Sequence, residues 1–272
     1  MKVQLAQIPS VDGIVAPNLT RVLEVIQAAQ NDVDVIVFPE TCLMGFPNEK
    51  QIKEVAESED GFTLTCVQNA VRAKGISVVI GFAERCDDSY YNTTVLLSPD
   101  GICLKYRKTH LWATDIGVFK PGFELATGLW KGIRVGILIC FDLEFPETAR
   151  ALAAQGAQIL FITNANMDPY GFVHRSLIIA RAIENQIFVV MANRCGDGSE
   201  NLTFAGESAV ISPLGNVLAS LNRDQSCITC DIDINDVQKS RLNYQYLNQR
   251  RISLVGDYVN KSNNQSAHLI KK

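Results

Sequence analysis

Three residues with reactive side chains follow segments that are typical of buried strands. In open α/β sheets, reactive groups gather at the carboxyl ends of strands. A carboxylate, an ammonium and a thiol brought together there can act as proton carrier, oxyanion stabiliser and nucleophile of an acyl transfer. The residues and the segments that precede them are Glu40 after 35–39, Lys108 after 104–107 and Cys140 after 135–139.

Taken singly, each of these residues also has an ordinary structural explanation. Glu40 fits a solvated loop acid, Lys108 fits a charged solvated face, and Cys140 fits a buried strand cysteine. Considered together, the three residues suggest acyl transfer, because a cysteine at a strand-to-helix turn lies beside free helix N–H groups. Those groups and a nearby ammonium are expected to lower the pKa of the Cys140 thiol.

Other hydrolytic mechanisms find less support in the sequence. The three histidines are His110, His174 and His268, without a His-x-x-x-His spacing for zinc. A papain-like Cys/His pair is possible only through His110 or His174, and no local signature supports it. The chain also lacks a Gly-rich phosphate loop and a G-x-S-x-G elbow. We therefore expect no metal and no cofactor.

Composition favours a soluble globular protein and disfavours several other classes of protein. The 272 residues carry 25 Lys+Arg and 29 Asp+Glu, a net charge of −4, with no basic run for nucleic acid or anionic membrane. No apolar stretch reaches the ~18 residues of a membrane span, and the N-terminus does not read as a signal peptide. Eight scattered cysteines fit free thiols and a cytoplasmic location. Cys227 and Cys230, spaced as C-x-x-C, are interpreted as part of a buried strand.

Strand-like and helix-like segments alternate along most of the chain. Two hairpins are predicted, from 91–97 with 102–106 and from 208–211 with 217–219. No linker or repeat divides the sequence, which predicts one mixed α/β domain with helices on the outer faces. The polar stretch after Asn235 is predicted to pack on something else, such as a second subunit.

The segments that contain Glu40, Lys108 and Cys140 resemble the signature segments of the nitrilase superfamily of carbon–nitrogen hydrolases. Their order and approximate spacing also agree, and similar flanking segments extend the resemblance nearly from end to end. The signature segments are FPE at 38–40, YRKTHL at 106–111, and GILICFD at 136–142 with EFPE at 144–147. The flanks are FKPG at 119–122, ARAIENQ at 180–186, ANRCG at 192–196, and YL at 246–247 with RR at 250–251.

The resemblance implies a four-layer αββα sandwich over a single domain, 1–272. It implies assembly into homodimers or higher homo-oligomers, with the tail from about residue 236 packing on a partner subunit. It further implies a catalytic triad in which Glu40 is the general base, Lys108 stabilises the oxyanion and Cys140 is the nucleophile. The backbone N–H of Phe141 would be the second oxyanion donor.

Substrate contacts are less well defined by the sequence. Many members of the superfamily carry a second Glu shortly after the Lys. In this chain the nearby acid is Asp115, whose side chain is one methylene shorter. Asp115 is interpreted either as a replacement for that Glu or as an ordinary loop acid. Residues 163–173 look most like members that hydrolyse small carboxamides and release ammonia. Hydrolysis of an N-carbamoyl compound, hydrolysis of a nitrile and a catalytically silent scaffold remain alternatives. Candidate pocket residues are Phe46, Trp112, Asn166, Tyr170 and Phe172.

Overall fold

The structure is a computed structural model that describes residues 1–252, 254, 256–261 and 265–270. In chain order its strands are β1 (Lys2–Gln7), β2 (Val35–Val37), β3 (Ser77–Cys86), β4 (Ser89–Ser98), β5 (Gly101–Arg107), β6 (Glu124–Trp130), β7 (Ile133–Ile139), β8 (Ile159–Asn164), β9 (Phe188–Asn193), β10 (Cys195–Asp197), β11 (Thr203–Ala205), β12 (Ala209–Ile211), β13 (Val217–Ser220), β14 (Ser226–Asp231), β15 (Asp257–Asn260) and β16 (Ser266–Leu269). The helices are α1 (Val15–Ala28), α2 (Ile52–Val55), α3 (Phe62–Lys74), α4 (Pro146–Ala154), α5 (Gly171–Asn185), α6 (Asn235–Ser240) and α7 (Tyr246–Gln249).

The strands form two large sheets, each with three parallel strands near its centre. One sheet has the order β14-β1-β2-β3-β4-β5, and the other β13-β12-β9-β8-β7-β6-β16-β15. Strands β1, β2 and β3 run parallel in the first sheet, and β7, β8 and β9 in the second. Their neighbours are antiparallel, so both sheets are mixed. The mixed α/β class, with two large sheets and helices, is confirmed.

Alternating side chains of the first sheet face two different environments. Val35 and Val37 belong to a buried cluster that also contains side chains of β7, β8 and β9 from the second sheet. Ile36 lies between them in sequence and belongs to a separate cluster shared with α1 and α3. A strand points successive side chains to opposite faces, so this sheet is covered by the second sheet on one side and by helices on the other.

Helix α4 packs closely on the second sheet. A Cβ atom on Gly136 of β7 would lie 3.0 Å from the Leu152 side chain of α4. Strand β7 leads directly to Cys140, so this tight contact also fixes where that residue emerges.

Both predicted hairpins are present, as β4–β5 and β12–β13. The interpretation of Cys227 and Cys230 as buried is wrong: Cys227 is exposed and Cys230 half-buried. Their strand, β14, is the outermost strand of its sheet and is paired there with β1 alone. All eight cysteines are free thiols.

The predicted tail partly returns to its own chain. Strand β16 pairs with β6 of the second sheet, and Gln186 Nε2 donates to the Ser240 and Tyr244 carbonyls at 2.6 and 3.1 Å. Residues 253, 255, 262–264 and 271–272 of this tail lie outside the described residues. In the part of the chain that the structure describes, no helix combines the length and apolar character that a membrane crossing requires.

Candidate active site

Glu40 lies just beyond the end of β2, at the junction of the two sheets. Its backbone N–H donates to the carbonyl of Asn164, the last residue of β8, at 3.2 Å. Gly81 of β3 packs directly behind this turn, because a Cβ atom there would lie 2.5 Å from the Thr41 nitrogen. The carboxylate of Glu40 is consequently held in the interior, with 1% of the residue exposed.

Lys108 follows β5, the edge strand of the same sheet, and its side chain reaches the same place. Its backbone N–H donates to the Asn92 carbonyl of β4 at 2.9 Å, which keeps the chain in register past the end of the strand. The buried Nζ donates to Glu40 Oε1 at 2.7 Å and to Asp115 Oδ2 at 2.6 Å. Asn92 Nδ2 also donates to Glu40 Oε1, at 2.7 Å. The structure therefore joins Glu40 and Lys108 although 68 positions separate them.

Asp115 is part of this buried cluster rather than an exposed loop acid. Its Oδ2 accepts from the Trp112 backbone N–H at 3.0 Å as well as from Lys108. The Asp115 N–H in turn donates to the Trp112 carbonyl at 2.8 Å, closing a tight turn. The cluster thus places one ammonium between two carboxylates.

Cys140 stands at the end of β7, where a short 3-10 turn, Cys140–Glu144, begins. Its φ of +46° is a left-handed conformation that a non-glycine residue adopts only when its surroundings impose it. Asp142 supplies much of that constraint: its Oδ2 accepts from the Ile139 N–H at 3.2 Å and the Tyr106 hydroxyl at 2.8 Å. Sequence reasoning gave Asp142 no role, although it lies inside the GILICFD segment.

Burial and charge together determine the protonation of these groups. Burial raises the pKa of Glu40, and the Lys108 charge offsets only part of that effect. Burial would lower the pKa of Lys108, but the Asp115 and Glu40 charges outweigh it and hold that pKa well above its ordinary value. Burial and the Glu40 charge raise the pKa of Cys140 well above its ordinary value, against the effect of Lys108. The expected lowering of the Cys140 pKa is wrong, and the raised pKa favours the neutral thiol.

Cys140 faces a cavity of about 120 Å³. The predicted residues Trp112, Asn166 and Tyr170 line it, as does Phe141. Its remaining lining residues are Glu144, Met167, Val173 and His174. Sequence reasoning assigned no function to Glu144, although it begins the EFPE segment four residues after Cys140.

The other two predicted pocket residues lie elsewhere. Phe46 lines a neighbouring cavity of about 300 Å³, which shares Met167 with the first. Phe172 is 62% exposed on the first turn of α5 and lines neither of these cavities.

Neither candidate histidine is paired with Cys140. His110 stacks on Phe145 with ring centroids 3.8 Å apart, and its Nδ1 lies 2.9 Å from Asp142 Oδ1. His174 contacts Asn164 Oδ1 and Glu144 Oε1 at 3.0 and 3.2 Å. These contacts disfavour a papain-like Cys/His pair.

The arrangement, a cysteine beside a buried Glu–Lys pair at the junction of two sheets, suits nucleophilic hydrolysis. The family model for carbon–nitrogen hydrolases matches residues 2–242, and the chain belongs to that family. An (R)-stereoselective amidase of a Pseudomonas species is 48% identical over 257 residues, which cover 94% of each chain.

Solved structures show the same similarity. An amidase from a Nesterenkonia species matches with a TM-score of 0.82 and 26% identity, over 92% of this chain and 93% of its own. A glutamate-to-glutamine variant of the Nesterenkonia AN1 amidase matches with a TM-score of 0.79 and 25% identity, over 92% and 94%. In that structure the acetamide moiety of fluoroacetamide is covalently attached to the active-site cysteine.

Proposed function

We propose that this protein is an amidase that hydrolyses a small carboxamide to a carboxylate and ammonia through a thioester on Cys140. The observation that carries the proposal is the buried Glu40–Lys108–Asp115 cluster beside a cavity into which Cys140 opens. The similarity to two amidases, one with an acetamide moiety covalently attached to its active-site cysteine, supports a cysteine nucleophile and the same reaction.

In the first half-reaction, Glu40 accepts the Cys140 proton as the sulfur attacks the amide carbon. Glu40 Oε1 already accepts from Lys108 and Asn92, whereas buried Oε2 has no hydrogen-bond partner among the described residues and remains available for a proton. The carbonyl electron pair moves to oxygen, where Lys108 and the Phe141 N–H stabilise it. Glu40 then passes the proton to the leaving nitrogen, and ammonia departs as the thioester forms.

In the second half-reaction, Glu40 takes a proton from water while the water oxygen attacks the thioester. The tetrahedral oxyanion forms beside Lys108 again, and its collapse releases the carboxylic acid and the sulfur. Cys140 regains its proton from Glu40. General-base assistance of this kind contributes about 10²–10⁴-fold to a rate, and one oxyanion donor about 10²–10³-fold.

The cavity restricts the acyl group to a small one. An engineered cavity of about 150 Å³ in another protein holds benzene, so the 120 Å³ beside Cys140 suits an acyl group somewhat smaller than that. Larger substituents would have to extend towards the neighbouring 300 Å³ cavity past Met167.

The test is ammonia release from amides, N-carbamoyl compounds and nitriles, measured beside the Cys140→Ala variant. We expect ammonia from amides, a mass gain of one acyl group on trapped enzyme, and loss of both in Cys140→Ala. Cys195→Ala, which removes another buried thiol, is the matched control and should retain activity. Turnover by Cys140→Ala within a few-fold of wild type would contradict the proposal.

The panel also separates the alternative functions. Carbon dioxide released together with ammonia would indicate N-carbamoyl hydrolysis, and turnover confined to nitriles would indicate a nitrilase. Failure to hydrolyse any class, with Cys140 resistant to iodoacetamide, would favour a silent scaffold.

We also propose a cytoplasmic homo-oligomer in which the tail from about residue 236 packs on a partner subunit. Leu242 and Ile252 support this proposal, because both are apolar and at least 80% exposed. Light scattering on wild type and on Leu242→Ser with Ile252→Ser should show a smaller assembly for the variant, and cell fractionation tests the location. A wild-type monomer would contradict the proposed assembly.

A further inference from the structure

One of the described residues that line the catalytic cavity carries a carboxylate. This residue is Glu144, whose side chain is 31% exposed. In the described part of the chain, no lysine or arginine lines this cavity. Asn166 also lines it, but its Oδ1 is fully buried, so a ligand in the cavity does not reach that oxygen. A ligand with a hydrogen-bond donor or a positive charge therefore suits the Glu144 side of the cavity.

Aromatic rings form another wall of the same cavity. The rings of Trp112 and Phe141 meet edge to face with centroids 5.0 Å apart, and those of Trp112 and Tyr170 with centroids 5.8 Å apart. The face of an aromatic ring is electronegative and attracts ammonium groups. A carboxylate and three aromatic rings together suit a cation.

Glu144 is held firmly enough to select a ligand. Its backbone carbonyl accepts from Arg181 Nη2 at 3.2 Å, and Arg181 Nε also donates to the Leu143 carbonyl at 3.0 Å. The nearby guanidinium is already paired with Glu184 at 3.1 Å. These contacts fix the backbone of Glu144 and leave its carboxylate free to face the cavity.

One oxygen of that carboxylate is engaged and the other is not. His174 Nε2 lies 3.2 Å from Glu144 Oε1, while no hydrogen bond to Oε2 occurs among the described residues. His174 Nδ1 faces Asn164 Oδ1, so this ring is oriented from both sides. Oε2 is consequently available to a ligand.

We infer that the amide substrate carries an ammonium group next to its carboxamide, and that Glu144 binds this ammonium; the inference rests on the proposed amidase function. In an α-amino amide the ammonium and the carboxamide are attached to one carbon. Such a substrate needs its cation site close to the nucleophile, and Glu144 ends the same short turn that Cys140 begins. An amide with a carboxylate at this position would instead be repelled.

The experiment compares two amides of nearly the same shape. Alaninamide has an ammonium where isobutyramide has a methyl group, so the ratio of their kcat/KM values measures recognition of the charge. Wild type should prefer alaninamide by about 10- to 100-fold, the range expected of a charge-assisted hydrogen bond. Glu144→Gln should abolish most of this preference. Glu147→Gln removes an exposed carboxylate three residues later and should keep it.

The outcomes separate this inference from the proposed function. Equal kcat/KM for the two amides, or an unchanged ratio in Glu144→Gln, overturns the ammonium site while leaving the amidase in place. Hydrolysis of neither amide, nor of any other, overturns the amidase as well.

Wild type alone provides a second test that does not depend on the folding of a variant. KM for alaninamide should rise as the pH passes the pKa of its amino group, near 8, and KM for isobutyramide should not. Parallel KM profiles for the two amides would contradict the inference.

Discussion

Asp115 offers the sharpest test of how the cluster works, because it has two separate hydrogen bonds to lose. Its Oδ2 accepts from Lys108 Nζ at 2.6 Å and from the Trp112 N–H at 3.0 Å. Asp115→Ala removes both and leaves Lys108 with Glu40 as its carboxylate partner. Lys108 would then be free to tilt towards Glu40 and away from the position where the oxyanion forms.

The size of the effect follows from the bond that is lost. A hydrogen bond to a charged group contributes about 1.5–3 kcal/mol, which corresponds to about 10- to 150-fold in rate if it acts in the transition state. The unpartnered Trp112 N–H adds to that loss, so we expect kcat to fall by about 100-fold in Asp115→Ala. Asp115→Asn keeps an acceptor oxygen and should lose less.

The charge of Asp115 also predicts the direction of a pH effect. Its carboxylate raises the pKa of Glu40, since two like charges share one ammonium. In Asp115→Asn the pKa of Glu40 should fall, so Glu40 stays ionised to lower pH. The acid limb of the kcat/KM profile should move to lower pH in this variant, whatever happens to the maximal rate.

The assay is ammonia release at saturating amide, with a thermal melt of each variant to establish folding. Asp100→Ala, which removes an exposed carboxylate at the β4–β5 turn, is the control and should match wild type. The reasoning is refuted if folded Asp115→Ala keeps kcat within threefold of wild type. It is also refuted if the acid limb of Asp115→Asn moves to higher pH.

Three further predictions concern groups around the site. The kcat/KM of wild type on a neutral amide should fall as the pH is lowered, with a midpoint above pH 4.5. Burial raises the pKa of Glu40, and Glu40 must be ionised to act as the base. A midpoint at or below pH 4.5 would contradict this. Burial would raise the pKa of Asp12, but the Arg194 guanidinium, 2.6 Å away, outweighs burial and holds that pKa below 3.8. The stabilisation of the folded state by ionised Asp12 is therefore fully present above pH 3.8. It is lost as the pH falls through the lower pKa that Asp12 has in the folded state. Urea denaturation should therefore show Asp12→Ala to be about 3–5 kcal/mol less stable than wild type at pH 7, since Arg194 is left buried without its partner, and the difference should shrink in acid. Gly81→Ala places a Cβ 2.5 Å from the Thr41 nitrogen, so it should displace Glu40 and lower kcat by at least tenfold. Gly75→Ala at the exposed end of α3 meets no atom within 4 Å, so it should keep kcat, although its φ of +74° makes the substitution cost stability. Normal activity in Gly81→Ala would refute the placement of Gly81 behind Glu40.

The sequence predicted the three reactive residues because each follows a strand. The separations of 68 and 32 positions carry no meaning by themselves, and the family resemblance supplied the reason to group the residues. Strands β3 and β4 lie between β2 and β5 in the sheet, so the ion pair between Lys108 and Glu40 depends on the segments that follow β2 and β5 and cross the ends of the strands between them. Cys140 arrives there from the second sheet, and its position depends on how the two sheets pack.

Residues that depend on such packing were the ones the sequence did not reveal. Gly81 matters only because β3 lies behind the Glu40 turn, and Glu144 only because its side chain faces the cavity. The pKa of Cys140 was predicted in the wrong direction for the same reason. Local reasoning counted the helix N–H groups and Lys108, but not burial or the carboxylate of Glu40.

That error leads to a clearer view of how the site functions. Burial favours the neutral thiol of Cys140, so no resting thiolate has to be maintained beside the Glu40 carboxylate in the interior. When the sulfur attacks, its proton neutralises Glu40 at the moment when negative charge appears on the substrate oxygen. The charge moves from Glu40 to the oxyanion while Lys108 stays beside it, still held by Asp115. The net charge of the buried cluster is the same before and after, which is why a thiol with a raised pKa can serve as the nucleophile here.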